Sequence, residues 1–113
     1  MKLPCAHRAD IDVAKLTDYL LSLDHPVGRF KARVFARAGY RRTEAAVLQK
    51  DILDLARHGD AEPQPLGTFG QKFIVRGILQ GPNGRSLAVA TIWIVRAGEQ
   101  VPRFVTAYPG AAI

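Results

Sequence analysis

The chain has 113 residues, of which 48% are hydrophobic and 23% charged, and its formal net charge is +6. These values predict one domain spanning residues 1–113, with enough apolar surface to form a core without disulfides or metals. The single cysteine excludes an internal disulfide, and no apolar run approaches the ~20 residues of a membrane-spanning helix. We therefore expect a cytoplasmic protein without membrane association, or a cargo domain delivered by a larger system.

Helical patterns fill the first half of the chain. They predict three helices, at Val13–Leu21, Pro26–Ala38 and Glu44–Arg57. Asp12 and Thr43 are expected to be N-caps, and Gly39 and Gly59 are expected to end the second and third helices. The following segment, Asp60–Gly67, contains two prolines and is predicted to be a loop.

Strand patterns fill the second half, at Gln71–Gln80, Ser86–Val95 and Arg103–Tyr108. Asn83-Gly84 predicts a hairpin with a two-residue turn, because both residues tolerate positive φ. That turn would pair Arg76 with Thr91 and Ile74 with Trp93. The core face would then carry Phe73, Val75, Leu79, Ala90, Ile92 and Ile94. The second, mixed face would carry Lys72, Arg76, Gln80, Thr91 and Trp93.

The order of these elements predicts an α+β fold. About three N-terminal helices would pack on one face of a C-terminal antiparallel sheet of three or more strands. The second face of the sheet would be open to a ligand or only partly covered.

The most basic segment is His25–Arg42. From residue 29 onward it holds six cations and no carboxylate: Arg29, Lys31, Arg33, Arg37, Arg41 and Arg42. Arg29, Arg33 and Arg37 form one stripe on a helical wheel, which is either a solvated face or a surface that binds phosphates. Lys31 falls on the apolar side of the same helix, where it either reaches out to solvent or points into a site.

Candidate chemical groups lie before this helix and in the last strand. His25 could act as a general acid or base, or as a cap. Thr106 and Tyr108 should share one face of the last strand and Arg103 the other, so that all three serve one site only if the strand bulges or Arg103 reaches around an edge. The histidines are scattered and no carboxylates cluster on the predicted sheet, so we expect no metal site and no cofactor.

Five motifs follow one another along the chain: Leu16–Leu21 (LTDYLL), His25-Pro26-x-Gly28-x-x-Lys31-Ala32, Gly81–Arg85 (GPNGR), Thr91-x-Trp93 and Val105–Pro109 (VTAYP). Through them the chain resembles a family of small bacterial domains of uncharacterised function. The order of His25, Lys31 and Thr106–Pro109 is similar, more weakly, to the Barnase–EndoU–colicin–RelE superfamily of metal-independent ribonucleases and toxins. That resemblance implies helices before an antiparallel sheet and a site built from both. The chain lacks the second well-placed histidine and the glutamate base of the better-known members.

These observations lead to the hypothesis of a metal-independent, toxin-like endoribonuclease that cleaves RNA by attack of the 2′-hydroxyl on the adjacent phosphate. The expected catalytic residues are His25, Lys31, Arg103, Thr106 and Tyr108. The expected RNA-binding residues are Arg29, Arg33, Arg37, Arg76, Arg85, Thr91 and Trp93. The alternative is a non-catalytic basic module that binds RNA or an acidic protein, as one half of a toxin–antitoxin-like pair. A neutralising protein partner is compatible with the ribonuclease hypothesis.

Overall fold

The structure is a computed structural model that describes residues 1–110. The helical elements are a 3₁₀ turn at Ala6–Arg8, a π-helix at Leu16–Leu20, helix α1 at Gly28–Arg37, a 3₁₀ turn at Arg42–Glu44 and helix α2 at Ala45–His58. The strands are β1 at Ala61–Pro63, β2 at Gly70–Gln80, β3 at Ser86–Arg96 and β4 at Arg103–Pro109. They form one antiparallel sheet in the order β1-β2-β3-β4, which confirms the α+β class. None of these helices has the length and apolar character needed to cross a membrane.

The first predicted helix is observed mainly as a short π-helix, at Leu16–Leu20. The carboxylate of Asp12 accepts a hydrogen bond from the Ala14 amide at 3.0 Å, as expected for a cap. The chain then winds into the π-helix, in which the Leu21 amide donates to the Leu16 carbonyl at 2.8 Å. Leu16 and Leu20 are buried in this element, whereas Tyr19 is only partly buried.

Helix α1 begins two residues later than predicted, at Gly28. The His25 carbonyl nevertheless accepts the Arg29 amide at 3.1 Å, so Pro26 and Val27 form an irregular turn ahead of the regular helix. Gly39, with a φ of 91°, follows the end of α1 as predicted.

The start of helix α2 also differs from the prediction. A 3₁₀ turn occupies Arg42–Glu44, and the Thr43 hydroxyl bonds to the Glu44 carboxylate instead of capping the helix. The prediction that Thr43 is the N-cap is therefore wrong. Gly59 follows the last residue of α2, as expected.

A fourth strand lies inside the predicted loop. The three residues of β1 pair with Phe73–Val75 of β2, at one edge of the sheet. The strand is too short to show alternation and ends in Pro63, so its sequence has no strand signal.

The hairpin between β2 and β3 has a three-residue loop. The Gly81 amide donates to the Arg85 carbonyl at 2.8 Å, and the Gly84 amide donates back to Gly81 at 2.9 Å. Gly84 has a φ of 85°, the left-handed position that commonly closes a three-residue loop. Pro82 suits the first central position of the preceding tight turn because its φ is already set.

The longer loop shifts the pairing by one residue, so that Val75 lies opposite Thr91 and Phe73 opposite Trp93. The predicted pairs, Arg76 with Thr91 and Ile74 with Trp93, are therefore wrong. A shift of one residue moves every side chain of a strand to the other face. In β2 the residues that face the core are the predicted ones. In β3 the two faces are exchanged: the positions predicted for the core lie on the second face, and those predicted for the second face lie on the core face.

Thr91 and Trp93 consequently belong to the core, and both are fully buried. The Trp93 indole donates to the Thr91 hydroxyl at 2.8 Å, and that hydroxyl donates to the Val75 carbonyl at 2.8 Å. Both polar groups are thus satisfied inside the protein. Neither side chain can stack on a base or contact a phosphate, contrary to their assignment as RNA-binding residues.

One hydrophobic cluster joins the two halves of the chain. It includes Leu16, Leu20, Phe35, Leu48 and Ile52 from the helical half, and Phe73, Val75, Val89, Trp93 and Phe104 from the sheet. The second face of the sheet, defined by Ile74, Ile78, Ile92 and Ile94, is partly or largely exposed.

Candidate functional site

Strand β4 contains a bulge that decides which of its side chains lie together. Trp93 pairs with Phe104 and Ile92 pairs with Thr106, so Val105 is the additional residue. The bulge reverses the alternation, and it brings Arg103, Thr106 and Tyr108 to register positions on the same, second face of the sheet. Simple alternation predicted that Arg103 would lie on the opposite face.

Lys31 of helix α1 reaches this part of β4. Its ammonium donates to the Thr106 hydroxyl at 3.1 Å and lies 4.2 Å from the centroid of the Tyr108 ring. The ring of Tyr19 lies 5.1 Å away from the same ammonium. Lys31, Tyr19, Thr106 and Tyr108 are together called the Lys31 cluster. Ring faces carry partial negative charge and therefore attract the cation. Lys31 is partly buried and, within residues 1–110, forms no ion pair.

The arrangement around Lys31 is suited to binding an anion. The rings and the hydroxyl orient the ammonium but leave its formal charge uncompensated. Tyr108 is 50% exposed, so solvent and ligands can reach the Lys31 cluster from the side of this ring. These contacts direct the Lys31 side chain toward strand β4.

His25 caps the start of helix α1. Its Nδ1 accepts hydrogen bonds from the amides of Val27 at 3.0 Å and Gly28 at 2.9 Å. A nitrogen that accepts in this way carries no proton, so the neutral ring holds its proton on Nε2. Acting as a base through Nε2 would require the other tautomer, which would break both of these hydrogen bonds.

Tyr19 connects His25 to Lys31, and sequence reasoning missed it. The His25 ring meets the Tyr19 ring edge-on, with centroids 4.8 Å apart and an interplanar angle of 87°. A Cβ on Gly28 would lie 2.1 Å from the Tyr19 carbonyl oxygen, so only glycine permits this approach. Each of the three motif residues therefore has its own structural role. His25 caps helix α1, Gly28 allows the close contact with Tyr19, and Lys31 directs its side chain at β4.

The other predicted cations lie outside this cluster. Arg103 forms an ion pair with Glu99 at 2.9 Å, and Arg76 forms one with Glu62. Arg85 is exposed at the hairpin. The second face of the sheet thus carries two cations that already have carboxylate partners.

The arginine stripe of α1 is exposed, and two of its members contact Phe30. The guanidinium carbons of Arg29 and Arg33 lie 4.9 and 5.9 Å from the ring centroid. Phe30 is itself 56% exposed. None of Arg29, Arg33 and Arg37 has an ion-pair partner among the residues described. This helix face is therefore a positively charged surface.

Comparisons with known proteins address the fold and the family. The model of a family described as a domain of unknown function (DUF6883) matches residues 2–111. No curated protein matches the chain. Among solved structures, a chain from a contact-dependent growth inhibition toxin–immunity protein complex of Klebsiella pneumoniae 342 superposes with a TM-score of 0.70. The match covers 95% of this chain and 97% of that chain at 17% identity, so it shows a shared fold.

Proposed function

This chain belongs to the DUF6883 family of domains of unknown function, and we propose that it is a toxin-like, metal-independent endoribonuclease. One observation carries the proposal. The Lys31 ammonium is directed at Thr106 and Tyr108 and has no carboxylate partner in the described part of the chain. A cation held in this way, beside a hydroxyl and a half-exposed phenol, can bind a phosphodiester and stabilise the charge that develops on it.

In the proposed reaction the 2′-hydroxyl oxygen forms a bond to the adjacent phosphorus and loses its proton to water. The bond from phosphorus to the 5′-oxygen breaks, which leaves a 2′,3′-cyclic phosphate. Lys31 and Thr106 bind the phosphate oxygens as negative charge accumulates. The Tyr108 hydroxyl donates a proton to the departing 5′-oxygen and recovers it from solvent.

His25 contributes indirectly in this proposal. Its Nδ1 is engaged by two backbone amides, and its ring contacts Tyr19, which in turn contacts Lys31. His25 is therefore a positioning residue that fixes the start of α1 and the direction of Lys31. Arg103 is engaged by Glu99 and contributes to the local field rather than to the reacting phosphate.

The fold comparison supports the toxin-like part of the proposal. A chain with the same fold occurs in a complex that contains a growth inhibition toxin and an immunity protein. By analogy, we propose that this domain acts within such a pair and that a protein partner neutralises it.

The second candidate function is a non-catalytic module that binds RNA through the same cations. The observation that favours it is the capping role of His25, because the Nδ1 hydrogen bonds prevent this histidine from acting as a base. Such a module would use Lys31 and the α1 arginines for phosphates without breaking a bond.

Incubation of the protein with total RNA in the presence of EDTA tests the two candidates. The ribonuclease proposal predicts new 2′,3′-cyclic phosphate ends that are lost with Lys31→Ala. Tyr108→Phe keeps the ring beside Lys31 but removes the hydroxyl, and it should lower cleavage by about 10²-fold or more. Lys50→Ala is the matched control, because Lys50 lies on α2 and pairs with Asp54. Salt-dependent RNA binding with intact RNA at high protein excess would instead support the binding module.

A further inference from the structure

A cleft lies at the bulged end of β4, outside the Lys31 cluster. Its volume is about 1370 Å³, larger than the roughly 300–1,000 Å³ of pockets that hold small molecules. The N-terminal segment forms one wall, and the ends of β2, β3 and β4 form the other. We propose that this cleft binds a single strand of RNA next to the scissile phosphate, an inference that rests on the proposed function.

The charge of the cleft favours a polyanion. Five cationic side chains line it: Arg8, Lys15, Lys72, Arg96 and Arg103. The three carboxylates in the lining are Asp10, Asp12 and Glu99, which leaves an excess of positive charge. Two of these carboxylates already have partners, because Glu99 pairs with Arg103 and Asp12 accepts the Ala14 amide. Four of the cations make no ion pair among residues 1–110.

The apolar groups of the cleft favour a nucleic-acid strand over a protein. Phe69 is 80% exposed. Among the described residues that line the cleft, no other large hydrophobic side chain is mainly exposed. A protein interface would require a wider apolar centre, whereas single-stranded nucleic acids bind where exposed aromatic rings stand beside a cationic groove. Phe69 is thus the ring on which a base would stack.

The cleft is continuous with the Lys31 cluster through β4. The Lys15 ammonium, in the cleft wall, lies 3.4 Å from the Val105 carbonyl oxygen. Val105 is the bulged residue, and the next residue is Thr106, whose hydroxyl accepts the hydrogen bond from Lys31. A strand whose scissile phosphate lies at Lys31 can therefore extend into the cleft along the edge of β4.

Binding of an uncleavable strand separates this proposal from the ribonuclease proposal. The probe is a fluorescein-labelled 2′-O-methyl oligouridine of about 12 nucleotides, within the span of known single-strand sites. Fluorescence anisotropy at several salt concentrations gives the affinity and its salt dependence. The full chain is used, with the double variant Lys72→Gln/Arg96→Gln and the charge-matched control Lys50→Gln/Arg41→Gln, whose exposed residues do not line the cleft.

The cleft variant should bind about tenfold more weakly, and its slope of log affinity against log salt should fall by about 1.4, since each lost contact to a single strand contributes about 0.7. The control should retain its affinity within about twofold. Phe69→Ala should weaken binding about fivefold or more, and Phe69→Tyr should restore it. Equal effects of the cleft and control variants would overturn the proposal. Equal competition by a polyglutamate peptide would also overturn it and indicate an acidic protein as the ligand.

Failure of this proposal can be distinguished from failure of the proposed function. If the oligonucleotide binds in a cleft-dependent manner while total RNA stays intact, the cleft is supported and the ribonuclease is not. If RNA is cleaved and the cleft variant has an unchanged KM, the ribonuclease is supported and the cleft is not.

Discussion

The Lys31 ammonium donates a hydrogen bond to the Thr106 hydroxyl across 3.1 Å, and this contact joins helix α1 to strand β4. The two residues lie 75 positions apart in the chain. Their meeting depends on the cap at the start of α1 and on the bulge at Val105. The candidate site is therefore a product of the tertiary structure, and the energy of this contact can be measured.

A double-mutant cycle with Lys31→Met and Thr106→Val should give a coupling free energy of about 1 kcal/mol. Hydrogen bonds to charged groups contribute more than this when buried, and partial exposure reduces the value. Urea unfolding of the four proteins provides the measurement. Lys50→Met combined with Thr106→Val is the control and should be additive within about 0.5 kcal/mol. Additivity in the Lys31 cycle as well would mean that the contact contributes nothing to stability.

His25→Ala should lower the free energy of unfolding by about 1 kcal/mol, because two amides at the start of α1 lose their acceptor. His25→Asn should keep most of that stability, since its side-chain oxygen lies near the position of Nδ1. If His25 acts only through the cap, the asparagine variant should also retain RNA cleavage. A stable but inactive asparagine variant would show that Nε2 takes part in the chemistry.

Gly28→Ala should destabilise the domain by about 1–3 kcal/mol, because the added methyl group would overlap the Tyr19 carbonyl. Gly67→Ala is the matched control: its Cβ would lie 3.6 Å from the nearest atom, an ordinary contact, and stability should change by less than about 0.5 kcal/mol. Denaturant unfolding of both variants tests the difference. Similar stability of the two would contradict the close approach of α1 to the π-helix.

Tyr40→Phe should reveal a pH-dependent contribution to stability. The Tyr40 hydroxyl donates to Asp51 at 2.5 Å and lies 3.2 Å from the Gln80 carbonyl oxygen. Burial, and then the hydrogen bond and charge of Asp51, raise the pKa of Tyr40 well above its ordinary value of 10. At neutral pH the phenylalanine variant should be less stable by about 1–3 kcal/mol, because the Asp51 carboxylate loses its donor.

Above pH 10 the unfolded chain ionises this tyrosine while the folded protein does not, so rising pH favours unfolding. The stability that Tyr40 contributes is present below pH 10 and is lost above it. The difference in the free energy of unfolding between wild type and Tyr40→Phe should therefore narrow by up to about 1.4 kcal/mol per pH unit. Urea unfolding between neutral pH and pH 11 measures this gap. A gap that stays constant with pH would contradict the raised pKa.

The sequence by itself determined the features that depend on neighbouring residues. Hydrophobic periodicity indicated the helical half and the three long strands, and the glycines at residues 39 and 59 marked the ends of α1 and α2. The helical wheel separated Lys31 from the arginine stripe, and Asn83-Gly84 located the hairpin. Each of these signals arises within a few positions of the chain, where backbone preference and side-chain spacing act directly.

Only the tertiary structure decided the register, the bulge and the contacts of the site. One additional loop residue moved Thr91 and Trp93 into the core, and one additional residue in β4 brought Arg103 and Thr106 to the same face. Tyr19 lies between His25 and Lys31 because Gly28 allows its backbone to come close. These outcomes depend on hydrogen bonds and packing between residues that are far apart in the chain, and no local pattern encodes which pairing has the lower free energy.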